Sequence, residues 1–457
     1  MSTPLTAGSG GSRAVVDGLN PRLSQADVLC TLAIFLYWLV YENVIFFYPM
    51  EYGGPALFGL TNAIKLLLPL GLLAYTGIPS PRLLTRGPVG FYVLFFATFL
   101  MWGLVPTLVS GDPWSWLKLL PRLAFFLSVA AFFSKRPNAF ALYAKCIVLY
   151  VLSALVQYVL IYATGAYANG PAGYTINPLG LIHATQFPGA PFAIVRLCGF
   201  WNEPSNASGS AFAAFFLARY LVNSGDAPKW RWASRGCFVA GVLALANAGY
   251  LALAAGVLFG LLAGTRRLTP GRVFQITILV PTALSLVLIV AFGRAYVLEN
   301  MPDNIWARAL TGVRDSSVGS DVTGGRVELL KMTVGKTGSN FVGAGIQEVG
   351  SGGIEGSATA PIYWLLLTGV PGLLLLLSRE TVLIASARSL AQRLPLMLPV
   401  TQALVAVMAQ QLSYGTWMNP NYLALAAMVV VSAQRSTRRR HQLVPVIIPG
   451  SIEPLPG

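Results

Sequence analysis

The sequence predicts an all-α polytopic membrane protein, about twelve transmembrane helices with two long loops on one face, and three observations predict it. Of the 457 residues, 55% are hydrophobic and 10% are charged, whereas a soluble globular chain carries about 25% charged residues. Mean hydropathy is +0.65. The apolar residues also gather into runs close to the ~20 residues that a helix needs to cross a bilayer. Disorder is excluded, because it requires low hydrophobicity. The formal charge is +15. A basic chain this apolar puts its cations beside membranes rather than on nucleic acid.

In chain order, residues 1–27 form a polar leader rich in Ser, Gly and Thr, expected to be disordered and cytoplasmic. The apolar stretch after it is too long for the core of a cleavable signal. Spans are predicted at 28–49, 55–76, 88–109, 114–134, 138–164, 207–224, 236–247, 250–264, 273–298, 358–378, 394–413 and 416–433, a single membrane domain over 28–433. The stretch 236–264 as one helix would be about 43 Å long, overshooting a ~30 Å hydrocarbon core. Two short helices meeting near Ala248 fit better. Residues 434–457 form a cytoplasmic tail.

Orientation follows from the cations. With both termini inside, the inner segments collect Arg82, Arg86, Lys135, Arg136, Lys229, Arg231, Arg235, Arg266, Arg267, Arg272, Arg379, Arg388, Arg393 and the run Arg438–Arg440. The short outer connections carry none. Loops 165–206 and 299–357 then face outward, and loops this long are usually functional or disordered. Cys30, Cys146 and Cys237 fall in spans and Cys198 in an outer loop, which gives neither a disulfide framework nor metal-ligand spacing. No metal and no cofactor are expected.

Charges inside spans are costly and mark sites or partners. Glu42, Lys65, Lys118 and Arg122 fall in spans 1, 2 and 4, the last two one turn apart. Two readings stand side by side: Glu42 pairs with Lys65 or Arg122 to lock helices, or the cations form a pocket for an anionic head group such as a diphosphate. Lys145 and Arg219 lie close enough to the inner face to snorkel.

Two motifs close the long loops. Arg196-Leu-Cys-Gly-Phe-Trp-Asn-Glu203-Pro204 ends the first, with Pro204 suited to a helix start. The second holds Gly324-Gly325-Arg326-Val-Glu328, then Asn340-Phe-Val-Gly343-Ala-Gly345, where glycines allow close backbone approach. Ala360-Pro-Ile-Tyr363-Trp364 and Gly369 follow. A Gly-x-Gly without a preceding strand is no nucleotide fingerprint.

The order of these segments resembles the bacterial O-antigen polymerase and ligase superfamily, which includes Wzy-type polysaccharide polymerases. The resemblance implies an enzyme of the inner membrane, with periplasmic loops and both termini cytoplasmic. It would transfer glycan from undecaprenyl-diphosphate-linked oligosaccharides. A chain-length regulator and a flippase of the same pathway are the implied partners, beside membrane lipid and no nucleic acid. Carried onto this sequence, Arg196 and Arg326 would hold diphosphate oxygens. The charges within the spans, rather than the resemblance, add Lys118, Arg122 and Lys65 to that pocket, and Gly343 and Gly345 of the second-loop motif border it. Ligases of the superfamily carry a histidine just before the last long loop re-enters the membrane. Here Ala358-Thr359-Ala360-Pro361 stand there, which moves weight from ligase to polymerase.

The expected reaction is attack of an acceptor hydroxyl on the anomeric carbon, with lipid diphosphate leaving. Charge-balanced diphosphate needs no strong acid. The acceptor needs a base. Glu203 is the first candidate and His183 the second, although Glu203 could instead orient Arg196. The competing classes are a transporter or flippase for lipid-linked sugars and a structural partner of an export machine.

Overall fold

In the computed structural model, the described residues are 23–41, 55–85, 87–109, 116–117, 119–163, 173–177, 180–185, 194–197, 201, 204–225, 228–244, 246–263, 300, 341–343, 360–413 and 418–443. They form helices α1 (Gln25–Tyr41), α2 (Pro55–Thr76), α3 (Pro88–Val109), α4 (Leu120–Lys135), α5 (Ala139–Ala163), α6 (Pro204–Asn223), α7 (Lys229–Leu243), α8 (Asn247–Ala263), α9 (Ala360–Arg393), α10 (Leu398–Ser413) and α11 (Pro420–Leu443). Among the described residues, α3, α5, residues 363–393 of α9 and the segment 395–412 are long and apolar enough to cross a membrane. Gln25–Tyr41, Ala63–Thr76 and Ala248–Ala263 are shorter apolar helices.

Large apolar side chains project from the bundle: Leu67 is 62% exposed, Met101 64% and Leu374 58%. A soluble monomer rarely shows so continuous an apolar surface, whereas lipid solvates it without cost. The chain is therefore a helical membrane protein. Predicted span 273–298 lies outside the described residues, as does nearly all of loop 299–357.

Helix ends follow local chemistry. At the start of α1 the Ser24 hydroxyl accepts the Asp27 N–H and the Asp27 carboxylate accepts the Ser24 N–H, both at 3.1 Å, a reciprocal cap. Gly77, at φ 72°, ends α2 in the left-handed conformation that a residue without Cβ adopts freely. Helices α7 and α8 are separate, parted at Ala244–Ala246, close to the expected junction.

Helix α6 is the spine. Ala207, Ala211, Ala213, Ala214, Leu217 and Ala218 are fully buried, and small residues let neighbouring backbones approach. It packs against α5, α7, α8 and α10. The Ser208 hydroxyl donates to the Gly241 carbonyl at 3.0 Å and Gln410 Nε2 donates to Asn206 Oδ1 at 2.9 Å. A Cβ on Gly249 would stand 1.6 Å from Ser208 Oγ, so α6 and α8 touch only because Gly249 has none.

Polar bonds gather several helix ends. Arg136 Nε, just past α4, donates to Asp27 Oδ1 at 3.2 Å, and Lys135 Nζ donates to the Thr76 carbonyl at 2.7 Å. Near the last turns of α11, Gln434 accepts the Val89 N–H and donates to the Leu83 carbonyl. The start of α1, the ends of α2 and α4, the start of α3 and the late turns of α11 thus share one end, the Asp27 end. The opposite end holds the last turn of α1 and the first turn of α4, and is named for Tyr41.

Two features depart from the expected layout. Part of the first long loop is a three-stranded antiparallel sheet, β1 (Gly173–Asn177), β2 (Gly180–Thr185) and β3 (Ile194–Arg196), in the order β1-β2-β3. The second concerns span 358–378 and the inner segment assigned after it. Helix α9 instead runs to Arg393, with one non-helical residue, Gly369 (φ 65°, ψ −169°). Arg379, counted among the inner cations, is fully buried inside the bundle, and Glu380 is 2% exposed. The correction has a physical cause: each charge neutralises the other, so hydropathy registers two charges where the helix buries a pair.

Candidate functional site

At the Tyr41 end, α1, α2 and α4 bring two cations onto one ring. Lys65 Nζ lies 5.8 Å and Arg122 Cζ 4.7 Å from the centroid of Tyr41, inside the ~6 Å range of cation–π attraction. The charged centres are therefore no more than roughly 10.5 Å apart. At an effective dielectric of about 20 their repulsion is on the order of 1.5 kcal/mol, which an anion between them would reverse. Arg122 Nε and Nη1 are buried without a hydrogen-bond partner. Buried polar groups in native proteins are nearly always satisfied, so these donors point to a ligand.

Neighbouring elements shape the surroundings. The Tyr37 ring packs on Phe125 at 4.5 Å, and Tyr37 and Tyr363 both interact electrostatically with the Arg122 guanidinium. Tyr363 belongs to the motif that opens α9. Its neighbour Trp364, 1% exposed, meets Phe99 and Trp116 edge-on at 5.2 and 6.1 Å. The Trp116 indole donates to the Leu100 carbonyl at 2.7 Å. The first turns of α9 are thereby held against α3.

The broken helix lies just below. Val370 N–H donates to the Phe341 carbonyl at 3.2 Å, and Gly343 has φ 100°. A Cβ on Gly343 would stand 2.5 Å from Gly369 N, and one on Gly369 would stand 2.1 Å from Phe341 O. Trp102 Nε1 donates to the Thr368 carbonyl at 2.8 Å, satisfying an acceptor beside the break.

The first loop is anchored to α7, α5 and α1. Leu197 N–H donates to the Leu243 carbonyl at 3.1 Å. Trp201, fully buried, lies 4.7 Å from Tyr150 and 6.2 Å from Trp38, one turn before Tyr41. Its indole N–H is a further buried donor without a partner. In the sheet, His183 is the Cα partner of Arg196 across β2 and β3, and of Tyr174 across β1 and β2.

Of the site residues named from sequence, the structure brings Lys65 and Arg122 together, registers His183 opposite Arg196, and sets Gly343 against Gly369. Glu42, Lys118, Glu203, Arg326 and Gly345 lie outside the described residues. Sequence reasoning missed Tyr41 and Tyr37 around Arg122, and named Tyr363 only as part of the α9 entry motif. The available signal was the Tyr37/Tyr41 spacing of one helical turn.

Sequence reasoning also missed the second polar cluster. Arg379 Nε donates to Glu380 Oε1 at 2.8 Å, its Nη2 reaches the same oxygen, and the Tyr422 hydroxyl donates to Glu380 Oε2. The guanidinium rests on Phe96 at 4.7 Å and Tyr92 at 5.4 Å. The two opposite charges there meet each other, which is the mark of a structural pair, and one guanidinium nitrogen, Arg379 Nη1, has no hydrogen-bond partner. The Arg122 group offers two such nitrogens beside aromatic faces, and can hydrogen-bond an anion. Among the described residues no cluster of His, Cys, Asp and Glu could hold a metal ion. No family model matches the chain, and no curated protein matches it.

Proposed function

We propose that this protein is a polysaccharide polymerase, a membrane glycosyltransferase that joins undecaprenyl-diphosphate-linked repeat units at the periplasmic face of a bacterial inner membrane. The supporting observation is the Arg122–Lys65 pair on Tyr41, with guanidinium nitrogens that no protein acceptor satisfies. A diphosphate supplies acceptors for those two Arg122 nitrogens. In the full topology of this reading, twelve spans place both termini in the cytoplasm, and the Tyr41 end faces out with the loops bearing Arg196 and Arg326.

The reaction forms a bond from an acceptor sugar oxygen to the donor's anomeric carbon and breaks that carbon's bond to the diphosphate oxygen. Lys65, Arg122, Arg196 and Arg326 take the charge that develops on the leaving group, the largest requirement of such a step. Glu203, or His183 in register with Arg196, accepts the hydroxyl proton. The acceptor is another lipid-linked unit. Transfer to lipid A core or protein is the ligase alternative.

The test is reconstitution of purified protein in liposomes with lipid-linked repeat units. A product ladder that is lost in Arg122→Ala and Arg196→Ala variants supports the reading. The break at Gly369 favours a second one, a transporter of lipid-linked sugars, since discontinuous helices line transporter sites. Movement of labelled lipid across the liposome without glycan growth would select it and sink the polymerase.

A further inference from the structure

The last residue of α1, Tyr41, offers one ring to cations from two other helices. Lys65 Nζ of α2 lies 5.8 Å from its centroid and Arg122 Cζ of α4 lies 4.7 Å from it. Packing one turn earlier fixes where that ring stands. Tyr37, 1% exposed, sets its ring on the fully buried Phe125 at 4.5 Å. Residues 37 and 41 share a face of α1, as 122 and 125 share a face of α4. The contacts Tyr37–Phe125 and Tyr41–Arg122 are therefore successive rungs between two antiparallel helices. The Tyr37 and Tyr41 rings lie 6.3 Å apart, so the buried rung braces the one that carries the charges.

We propose that Tyr41 is a positioning residue of the anion site, its electron-rich ring holding the Arg122 guanidinium and the Lys65 ammonium where one diphosphate meets both. This role presupposes the diphosphate reading, and Tyr41 acts on the ligand through the two cations. Like charges on neighbouring helices repel, and attraction of each to the same ring face offsets that repulsion. The pair then stands assembled before the ligand arrives, and binding is relieved of the cost of gathering it. Arg122 Nε and Nη1 are buried with no hydrogen-bond partner, which is the advantage of a ring over a carboxylate. A carboxylate would restrain the guanidinium by occupying its N–H donors, whereas the ring restrains it and leaves them for phosphate oxygens. The attraction adds to any other contact that Lys65 makes.

The test is isothermal titration of the purified full chain with farnesyl diphosphate in a fixed detergent. Position 41 is varied as Tyr41→Phe, Tyr41→Leu and a series of phenylalanines bearing one, two and three ring fluorines. Fluorine draws electron density from the ring face and alters its size little, so it weakens the attraction stepwise while packing stays in place. Tyr41→Phe should retain binding, each added fluorine should weaken it by a similar factor, and Tyr41→Leu should weaken it about tenfold. The fluorinated series carries the test if Tyr41→Leu fails to fold. Binding that ignores fluorine, with only the melting temperature lowered in Tyr41→Leu, would overturn the role and leave Tyr41 a packing residue. An unchanged fluorine dependence in a Lys65→Gln background would overturn the sharing of the ring. Arg122→Ala, titrated in parallel, tells the two failures apart. Unchanged binding there sinks the diphosphate reading and this role with it, whereas weakened binding there beside a flat fluorine series sinks the role alone.

Discussion

Arg379 and Glu380 are consecutive residues of one helix, yet their side chains meet, with Arg379 Nε donating to Glu380 Oε1 at 2.8 Å. Neighbours at i and i+1 normally diverge on a helix. Both turn into the same gap because α3 offers Phe96 and Tyr92 as faces for the cation, and α11 offers the Tyr422 hydroxyl to the anion. Burial of either charge alone would be far more costly than burial of the pair.

Breaking that pair on one side should therefore cost more than removing it. Glu380→Ala leaves a buried guanidinium uncompensated, and we expect a loss of about 3 kcal/mol or more. Arg379→Met combined with Glu380→Leu should cost less than Glu380→Ala alone. Tyr422→Phe should cost about 1–3 kcal/mol. Thermal unfolding in a fixed detergent orders the three. A double variant less stable than the single one would refute the argument.

At the candidate site, Arg122→Ala should weaken binding of a diphosphate-linked donor by roughly 10–100-fold, the worth of a charge-assisted contact. Because two Arg122 nitrogens have no protein partner, stability should change little, unlike at Arg379. Arg122→Lys should recover part of the binding. Isothermal titration with an undecaprenyl diphosphate analogue, paired with melting curves, separates the two effects. A large stability loss with unchanged binding would assign Arg122 to the scaffold.

Glycine substitutions should divide by backbone geometry. Gly369→Ala and Gly343→Ala each force a Cβ onto backbone atoms at positive φ and should destabilise by several kcal/mol. Gly71→Ala meets nothing within 4 Å in helix α2 and should stabilise by about 0.5–1 kcal/mol. Melting temperatures of the three variants in one detergent decide it.

Asp27 should give stability an acid limb. Burial works against its charged form, but the Ser24 N–H and hydroxyl together with Arg136 outweigh that and hold the carboxyl below its ordinary value. A group whose folded pKa is lowered contributes stability above its unfolded pKa of about 3.9 and loses it as pH falls through the folded value. The cap is the larger part, since Arg136 is 56% exposed and exposed ion pairs are worth little. Unfolding measured from pH 3 to 7 should show this loss below about pH 4, and Asp27→Asn should flatten it. An unchanged limb in the variant would remove Asp27 as its source.

Helix positions were legible where apolar runs are bounded by Pro and Gly: α2 and α3 occupy the residues expected, 55–76 and 88–109. The junction between α7 and α8 was legible from length alone. What hydropathy could not see is pairing. It treats Arg379 as a charge to be kept out of the bundle and cannot register Glu380 and Tyr422 as its compensation. The sheet escaped for a related reason: β1 to β3 carry little alternation, and their register depends on partners across the ladder. At the site, cations in spans named Lys65 and Arg122, but that both would rest on Tyr41 depends on how α1, α2 and α4 pack.

The break at Gly369 makes one stretch of sequence behave as two mechanical parts. The part before it carries Tyr363 beside Arg122, and the part after it carries Arg379 and Glu380. Variants scanned along α9 should therefore change phenotype at that residue. Before it, lost turnover would come with normal yield of folded protein. Beyond it, the protein would be lost before turnover could be measured.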